Sequence, residues 1–161
     1  MIEQLQEFAN GFPEWSRGLA VALIAAIPFV ESYFGSAIGV AIGLHPVAAI
    51  SAAVIGNAAS MLAFVLGADA TRRKVRASRG SADEPLTPRK AKVKRMFDRF
   101  GVPGVSLLGQ TMLPSQITSA AMVGFGASRN AVIAWQIVSI VLWGVLFGML
   151  AHLGVGFAVG A

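Results

Sequence analysis

The sequence contains no cysteine and few charged residues. Only 13% of its 161 residues are charged, against roughly 25% in an average soluble domain. Without cysteine, the chain cannot be a disulfide-stapled domain or a thiol enzyme, and it cannot bind a metal through thiolates. It also lacks a phosphate-binding loop, a nucleophile–base pair and metal-ligand spacing. The sequence therefore predicts neither an enzyme nor a bound cofactor or metal.

The positive charges are concentrated in one segment of the chain. Eleven of the thirteen lysines and arginines lie between Arg72 and Arg99 together with three acids, so this segment carries +8 and the remainder −3. Proteins that bind nucleic acid present their positive charge over a binding face, and we therefore expect no nucleic-acid partner. An excess of Lys and Arg between apolar segments instead marks residues 69–99 as a cytoplasmic loop of a membrane protein.

Two uninterrupted apolar segments are long enough to cross a bilayer. Residues 46–68 and 130–154 contain no Asp, Glu, Lys or Arg. A hydrocarbon core of about 30 Å needs roughly 20 helical residues, and charged groups at its centre are costly. Both segments are therefore predicted to be transmembrane helices.

Two further apolar segments are interrupted. Residues 18–44 contain Pro28 and Glu31 near their middle, and residues 102–126 contain Pro114 within a polar stretch. Because proline breaks a helix, each segment becomes two limbs of about 12 residues, or about 18 Å, which is too short to cross the core. We predict that each segment is a re-entrant helical hairpin, broken at Pro28 or Pro114. A single spanning helix, kinked at its proline, is the alternative.

The two halves of the chain have the same order of segments. Each half runs through a broken apolar segment, a short polar stretch and an unbroken span, and a shift of 85 residues places Glu31 on Gln116. With residues 69–99 in the cytoplasm, the first hairpin enters from outside and the second from inside, which is an inverted repeat. The predicted fold is one all-α integral membrane domain, residues 1–161. Its parts are an interfacial segment (1–17), two repeat halves (18–68 and 100–161) and the basic loop (69–99).

A basic amphipathic helix is predicted within this cytoplasmic loop. Between residues 89 and 100, basic residues surround one apolar helical face, which consists of Val93, Met96, Phe97 and Phe100. Such a helix suits an anionic lipid surface or a nucleic acid. Clustered basic residues also fix the orientation of a chain in the membrane, because segments rich in Lys and Arg stay on the cytoplasmic side. We favour this second interpretation, in which the basic segment sets the topology.

Glu31 is the only charged residue between residues 18 and 68. A carboxylate at membrane depth costs several kcal/mol unless it is neutralised or paired. We therefore expect Glu31 to carry a proton or to bind a cation. The alternative is a structural carboxyl group, satisfied by helix N-termini or by the hydroxyl of Ser32. The second interrupted segment supplies the other predicted substrate-binding residues: Gln110, Thr111, Ser115 and Gln116.

The sequence contains four further short motifs: Pro28-Phe29-Val30-Glu31, Arg99-Phe100-Gly101, Met112-Leu113-Pro114 and Trp143-Gly144. With these motifs the chain resembles the DedA/VTT superfamily of small membrane proteins. The resemblance covers Leu23 to Gly154 and is closest to the branch of small multidrug export proteins.

The resemblance implies two re-entrant hairpins in an inverted repeat, and proton-linked transport or lipid translocation. It places the acid of the first hairpin at Glu31. DedA members typically carry two arginines around the second proline, whereas the matching positions here are Gln110 and Gln116. This difference favours a cationic or neutral substrate over an anionic lipid phosphate.

The sequence therefore predicts a transporter that exports small amphipathic, cationic compounds and is coupled to protons through Glu31. We expect it in a prokaryotic cytoplasmic membrane, with membrane lipid, protons, its substrate and a second copy of the chain as partners. A homodimer is expected because so few spans enclose little cavity. One alternative is a lipid translocase or scramblase that acts on polyisoprenyl phosphates or phospholipids. Another is a non-transporting assembly protein in which Glu31 is structural.

Overall fold

Helices make up most of the residues that the structure describes. The computed structural model describes residues 1–79, 88–110 and 112–160, which form α-helices and one 3₁₀ turn, Glu14–Ser16, with no strand. This confirms the predicted all-α class. The helices are α1 (Ile2–Asn10), α2 (Arg17–Ala25), α3 (Glu31–Ala41), α4 (Pro46–Arg79), α5 (Pro88–Gly109), α6 (Ser115–Phe125) and α7 (Arg129–Gly160).

Two of these helices are long and apolar enough to cross a membrane. Their apolar stretches are Pro46–Lys74 in α4 and Arg129–Gly154 in α7. Helix α4 continues to Arg79, beyond the predicted end of the span at Ala68. Residues 69–79 are rich in Ala and Arg, which favour helix, and they contain neither Gly nor Pro. The beginning of the predicted basic loop is therefore helical.

The chain divides into two compact units, which are described separately. The first unit comprises Met1–Ser60 and Ile140–Ala161, and the second comprises Met61–Ser139. The first unit therefore contains α1, α2 and α3 with the beginning of α4 and the end of α7. The second contains α5 and α6 with the remaining parts of α4 and α7.

In the first unit, α2 and α3 form an antiparallel pair. A Cβ atom added to Gly35 would lie 2.7 Å from Cβ of Ala25, and one added to Gly39 would lie 3.3 Å from Cγ2 of Val21. The contacts move backwards along α2 as they move forwards along α3, so the two helices run in opposite directions. The interruption between them, residues 26–30, contains Pro28. Helix α1 adds Ala9 to a buried cluster with Ala20, Ile24, Val30 and Ile38.

Helix α4 approaches α2 still more closely. A Cβ atom added to Gly56 would overlap the backbone carbonyl group of Ala22. Only glycine allows two helix backbones to come this near, which is a common way of packing helices in membranes. Gly56 therefore sets the distance between α4 and α2.

In the second unit, α5 bends at Gly101 and then pairs with α6. Gly101 has φ 65° and ψ −167°, a conformation that is essentially restricted to glycine. Before the bend, Val93 is buried and the ring centroids of Phe97 and Phe125 lie 6.2 Å apart, so this side of the predicted apolar face packs against protein. Phe100, in contrast, is 47% exposed. After the bend, a Cβ atom on Gly109 would lie 3.3 Å from Cγ2 of Thr118 in α6.

The close approach at Gly56 predicts a large effect of a single methyl group. Gly56→Ala should lower the free energy of unfolding by about 2 kcal/mol or more, because the backbone of α2 must move to make room. Gly67→Ala is the matched control in the same helix, since a Cβ atom there meets nothing within 4 Å. The control should be neutral or stabilising by up to about 1 kcal/mol. Unfolding by sodium dodecyl sulfate in mixed micelles measures both, and equal stability of the two variants would contradict the predicted contact.

Candidate functional site

Glu31 lies at the interruption between α2 and α3, as the first residue of α3. Its side chain is fully buried, and its backbone N–H donates to the carbonyl oxygen of Ile27 at 3.3 Å. Its φ of 57° lies in the left-handed region, as does the φ of 74° at Phe29. A residue with a side chain pays about 1–2 kcal/mol there, and such strain persists only where the surroundings impose it. The fold therefore holds the backbone of Glu31 in a conformation that a glutamate disfavours.

Serines and glycines fix α3 against the end of α7 next to Glu31. The hydroxyl group of Ser32 donates to the carbonyl oxygen of Ile140 at 2.8 Å. A Cβ atom on Gly144 would lie 3.3 Å from Cβ of Ser32, and one on Gly148 would lie 3.3 Å from Cβ of Ser36. Ser32, suggested by the sequence as a partner for Glu31, therefore directs its proton to the backbone of α7.

Aromatic rings cover the adjoining side of α3. The Tyr33 ring centroid lies 5.4 Å from that of Phe147 and 6.5 Å from that of Trp143, both on α7. Phe34 adds a ring contact with Tyr33 at 4.8 Å. Because such rings contribute large apolar areas, this side of α3 is an apolar wall next to the Glu31 position.

In the second unit, the first turn of α6 is rich in buried polar residues. Ser115, Gln116, Thr118 and Ser119 are all buried. The hydroxyl of Thr118 lies 3.2 Å from the carbonyl oxygen of Pro114 and 3.1 Å from that of Ser115, and the hydroxyl of Ser119 donates to Ser115 at 2.6 Å. These two hydroxyl groups therefore bind the beginning of their own helix.

Gln110 has a different environment. It lies in the interruption between α5 and α6, is 6% exposed, and neither Oε1 nor Nε2 of its amide has a hydrogen-bond partner among the described residues. Thr111, also predicted to bind substrate, lies outside the described residues. Leaving buried polar atoms unmatched costs about 1–3 kcal/mol each, so Gln110 is available for a ligand or for water.

Sequence reasoning missed three buried polar residues near this interruption. On α7, the Nε2 atom of Gln136 donates to Oγ1 of Thr118 at 3.2 Å, and the hydroxyl of Ser139 donates to the carbonyl oxygen of Ser106 at 2.7 Å. Gln136, Ser139 and Ser106 are fully buried. For Gln136 and Ser139 the available signal is their spacing, since polar residues three apart in an apolar helix lie on one face.

The first residue of α7 joins an ion-pair cluster. The carboxylate of Asp69 lies 2.9 Å from the guanidinium of Arg73 and 3.4 Å from that of Arg129. The guanidinium of Arg72 lies close to Gly126, at the end of α6. Arg129 is therefore occupied by Asp69, near the beginning of the basic segment.

An open apolar groove of about 370 Å³ lies in the first unit. It runs between α1, α3 and the end of α7, and among the described residues Gln6 is its single polar lining residue. Small side chains on α3 and α7, such as Ala37 and Ala151, make room for it. Its chemistry suits a hydrocarbon chain rather than a charged group.

The predicted site residues fall into both units. Glu31 and Pro28 belong to the first unit, whereas Gln110, Pro114, Ser115 and Gln116 belong to the second. In the described ranges, no group of three or more His, Asp or Glu side chains is placed to hold a metal ion. Comparison of the chain with protein-family models, with curated proteins and with solved structures gives no match. The function must therefore be argued from the residues themselves.

The left-handed conformation of Glu31 predicts an unusual order of stability. Glu31→Gly and Glu31→Ala both remove the carboxyl group, but Gly tolerates φ 57° and Ala does not. The Gly variant should therefore be more stable than the Ala variant by about 1 kcal/mol.

At an ordinary helical position the order reverses. Ala37→Gly, in the middle of α3, should lose about 1 kcal/mol relative to the unmodified chain. Thermal unfolding in detergent of all three variants makes the comparison. A Glu31→Gly variant less stable than Glu31→Ala would contradict the left-handed conformation.

Proposed function

We propose that the chain is an integral membrane transporter that exchanges protons for small amphipathic cations at Glu31. The observation that carries the proposal is a fully buried carboxyl group held in a disfavoured backbone conformation at a helix interruption. Strained residues concentrate at functional sites, and ionisable residues within membrane segments are usually functional.

The surfaces of α4 and α7 support membrane insertion. Only 33% of the most apolar window of each helix is buried, whereas the core helix of a soluble protein is mostly buried. The outward side of α7 carries apolar residues at helical spacing: Trp135, Val138, Leu142, Val145, Leu146, Met149 and Leu153. An apolar surface of this extent needs a covering, which lipid supplies.

The lengths of α2 and α3 support a re-entrant hairpin. Helix α2 has 9 residues and α3 has 11, so they extend about 14 and 16 Å, half of a hydrocarbon core of about 30 Å. The interruption between them exposes Ile27 and Phe29. Turns in water are usually built from polar residues, so an apolar turn favours a position within the membrane.

The boundaries of the helices support an internal repeat. A shift of 84 residues superimposes the first residue of α3 on that of α6, and both helices have 11 residues. The same shift places α2 on residues 101–109, the part of α5 that follows its bend. With the basic segment in the cytoplasm, we propose that the two pairs enter from opposite sides as an inverted repeat.

The proposed mechanism uses one carboxyl group for two exclusive occupants. Ionised Glu31 binds the cationic group of a substrate; a proton then adds to the carboxylate, and the neutral acid releases the cation. In the second unit, we propose Gln110, Ser115 and Gln116 as substrate-binding residues, because their uncharged side chains can hydrogen-bond to uncharged polar groups.

Glu31→Gln should abolish proton-coupled transport while leaving folding intact. The amide has nearly the same shape but can neither bind a proton nor neutralise a cation. Uptake of ethidium by proteoliposomes under an imposed pH gradient measures the loss, and size-exclusion chromatography checks the fold. Glu7→Gln makes the same chemical change at an exposed position and should transport normally. Unimpaired, gradient-dependent uptake by Glu31→Gln would refute the proposal.

The apolar groove in the first unit favours one second candidate, a lipid translocase or scramblase. Its size and lining suit an acyl or isoprenyl chain, whose polar headgroup would then cross along the protein. Flipping of fluorescent phospholipids in proteoliposomes without a pH gradient distinguishes this function from the first. If Glu31→Gln changes stability without changing either flux, the carboxyl group is structural.

Membrane topology is directly testable because the chain has no cysteine of its own. Asn10→Cys and His45→Cys should react with a membrane-impermeant maleimide added outside, and Ala127→Cys should react only after the membrane is permeabilised. These outcomes follow from two re-entrant pairs and a cytoplasmic basic segment. If both interrupted segments span instead, the labelling of Asn10→Cys and Ala127→Cys reverses, while that of His45→Cys stays the same.

A further inference from the structure

Hydrogen bonds and a packing contact connect several buried polar residues of the second unit. Ser139 binds the backbone of Ser106, and Gln136, one turn before Ser139 on α7, binds Thr118. Thr118 also packs against Gly109 at the end of α5. Gln110 follows Ser106 by four residues, a spacing that puts both residues on one side of the end of α5. Where α5, α6 and α7 meet, we therefore group five residues under the name amide cluster: Ser106, Gln110, Thr118, Gln136 and Ser139.

Four polar atoms of the amide cluster have no hydrogen-bond partner among the described residues. They are Oε1 and Nε2 of Gln110, Oε1 of Gln136 and the hydroxyl group of Ser106. Ser106 and Gln136 are fully buried, and Gln110 is 94% buried. Buried polar side chains are normally hydrogen-bonded, either to protein or to ordered water. Several unmatched atoms in one cluster therefore indicate that something else binds there.

The orientation of the Gln136 amide follows from its neighbour. The hydroxyl proton of Thr118 is directed to the carbonyl groups of Pro114 and Ser115, so its oxygen can only accept from Gln136. The amide must therefore turn Nε2 towards Thr118, which leaves Oε1 as an unmatched acceptor. The unmatched atoms thus include both donors and acceptors, whichever way the amide of Gln110 is turned.

This combination selects a neutral partner. An ammonium group only donates and would leave the Nε2 donor of Gln110 unmatched, whereas an anion only accepts and would leave the two amide oxygens unmatched. A hydroxyl or carboxamide group both donates and accepts. The sequence agrees, because residues 101–161 contain one formal charge, Arg129, and that residue pairs with Asp69.

We propose that the amide cluster is a binding site for a neutral hydroxyl or carboxamide group, supplied by water or by an uncharged solute. The proposal gives a role to Ser106, Gln136 and Ser139, which the proposed transport mechanism does not use. It concerns the second unit alone and is tested without transport. The flux of the Glu31→Gln variant tests the proposed transport function, whereas the hydration of the amide cluster tests the present proposal. Either proposal can therefore fail without the other.

Thiol reactivity tests whether the amide cluster is wet. Ser106→Cys is the main variant, because the serine hydroxyl makes no hydrogen bond with a described residue that the substitution could break. Since only a hydrated thiol ionises and reacts, it should react with the small neutral reagent hydroxyethyl methanethiosulfonate at least about tenfold faster than Val132→Cys. Val132 is a fully buried apolar residue of α7 in the same unit. Gln110→Cys is the second variant and should behave like Ser106→Cys.

Added solutes identify the occupant. Protection of the cysteine by glycerol or acetamide shows that an uncharged solute binds, whereas rapid labelling without protection shows that water occupies the cluster. Either result supports the proposal. If both variants react as slowly as Val132→Cys, the cluster is dry and the proposal is wrong. Protection by tetramethylammonium in preference to glycerol would overturn its neutral character.

Discussion

The position of Glu31 depends on close packing between helices that carry small residues. Gly35 faces Ala25 across the α2–α3 pair, and Gly56 lies against the backbone of Ala22. On the other side, Gly144 and Gly148 admit the serines of α3. A larger residue at any of these contacts displaces a helix, because packed interiors have few voids to absorb it. The helices that flank Glu31 are therefore held in place by contacts that leave no room for larger residues.

Hydrogen bonds from serine hydroxyl groups to backbone carbonyl groups connect neighbouring helices in both units. Ser32 binds the carbonyl oxygen of Ile140, and Ser139 binds that of Ser106. Each bond joins two helices at one specific residue, and apolar packing alone specifies such a register less strictly. Serine serves well here because its hydroxyl is small and can turn towards whichever acceptor is present. Other buried polar atoms, such as those of the Gln110 amide, have no hydrogen-bond partner among the described residues.

The sequence predicts those features that depend on long runs of residues. The charge-free segments predict α4 and α7, and Pro28 and Pro114 fall where the shorter helices are interrupted. The polar face of Gln136 and Ser139 is not predicted, because two polar residues barely alter the apolar character of a long segment. The extension of α4 to Arg79 is not predicted, because clustered basic residues also favour a cytoplasmic loop. The contact of Gly56 has no local signal, because its partner Ala22 is distant in sequence. The left-handed conformation of Glu31 has none either, because glutamate does not favour this conformation.

The charges within the apolar segments set limits on the proposed exchange. Residues 18–68 and 101–161 contain two formal charges, Glu31 and Arg129. Arg129 already forms an ion pair with Asp69. Ionised Glu31 therefore adds one negative charge to the apolar part of the chain, and either a proton or a monovalent cation cancels it. An anionic substrate would bring a second negative charge into a medium that penalises one. The site carries no net charge when Glu31 holds a proton or a monovalent cation, and it carries a negative charge when Glu31 holds neither. Exchange of the proton for the cation is therefore favoured over release of both.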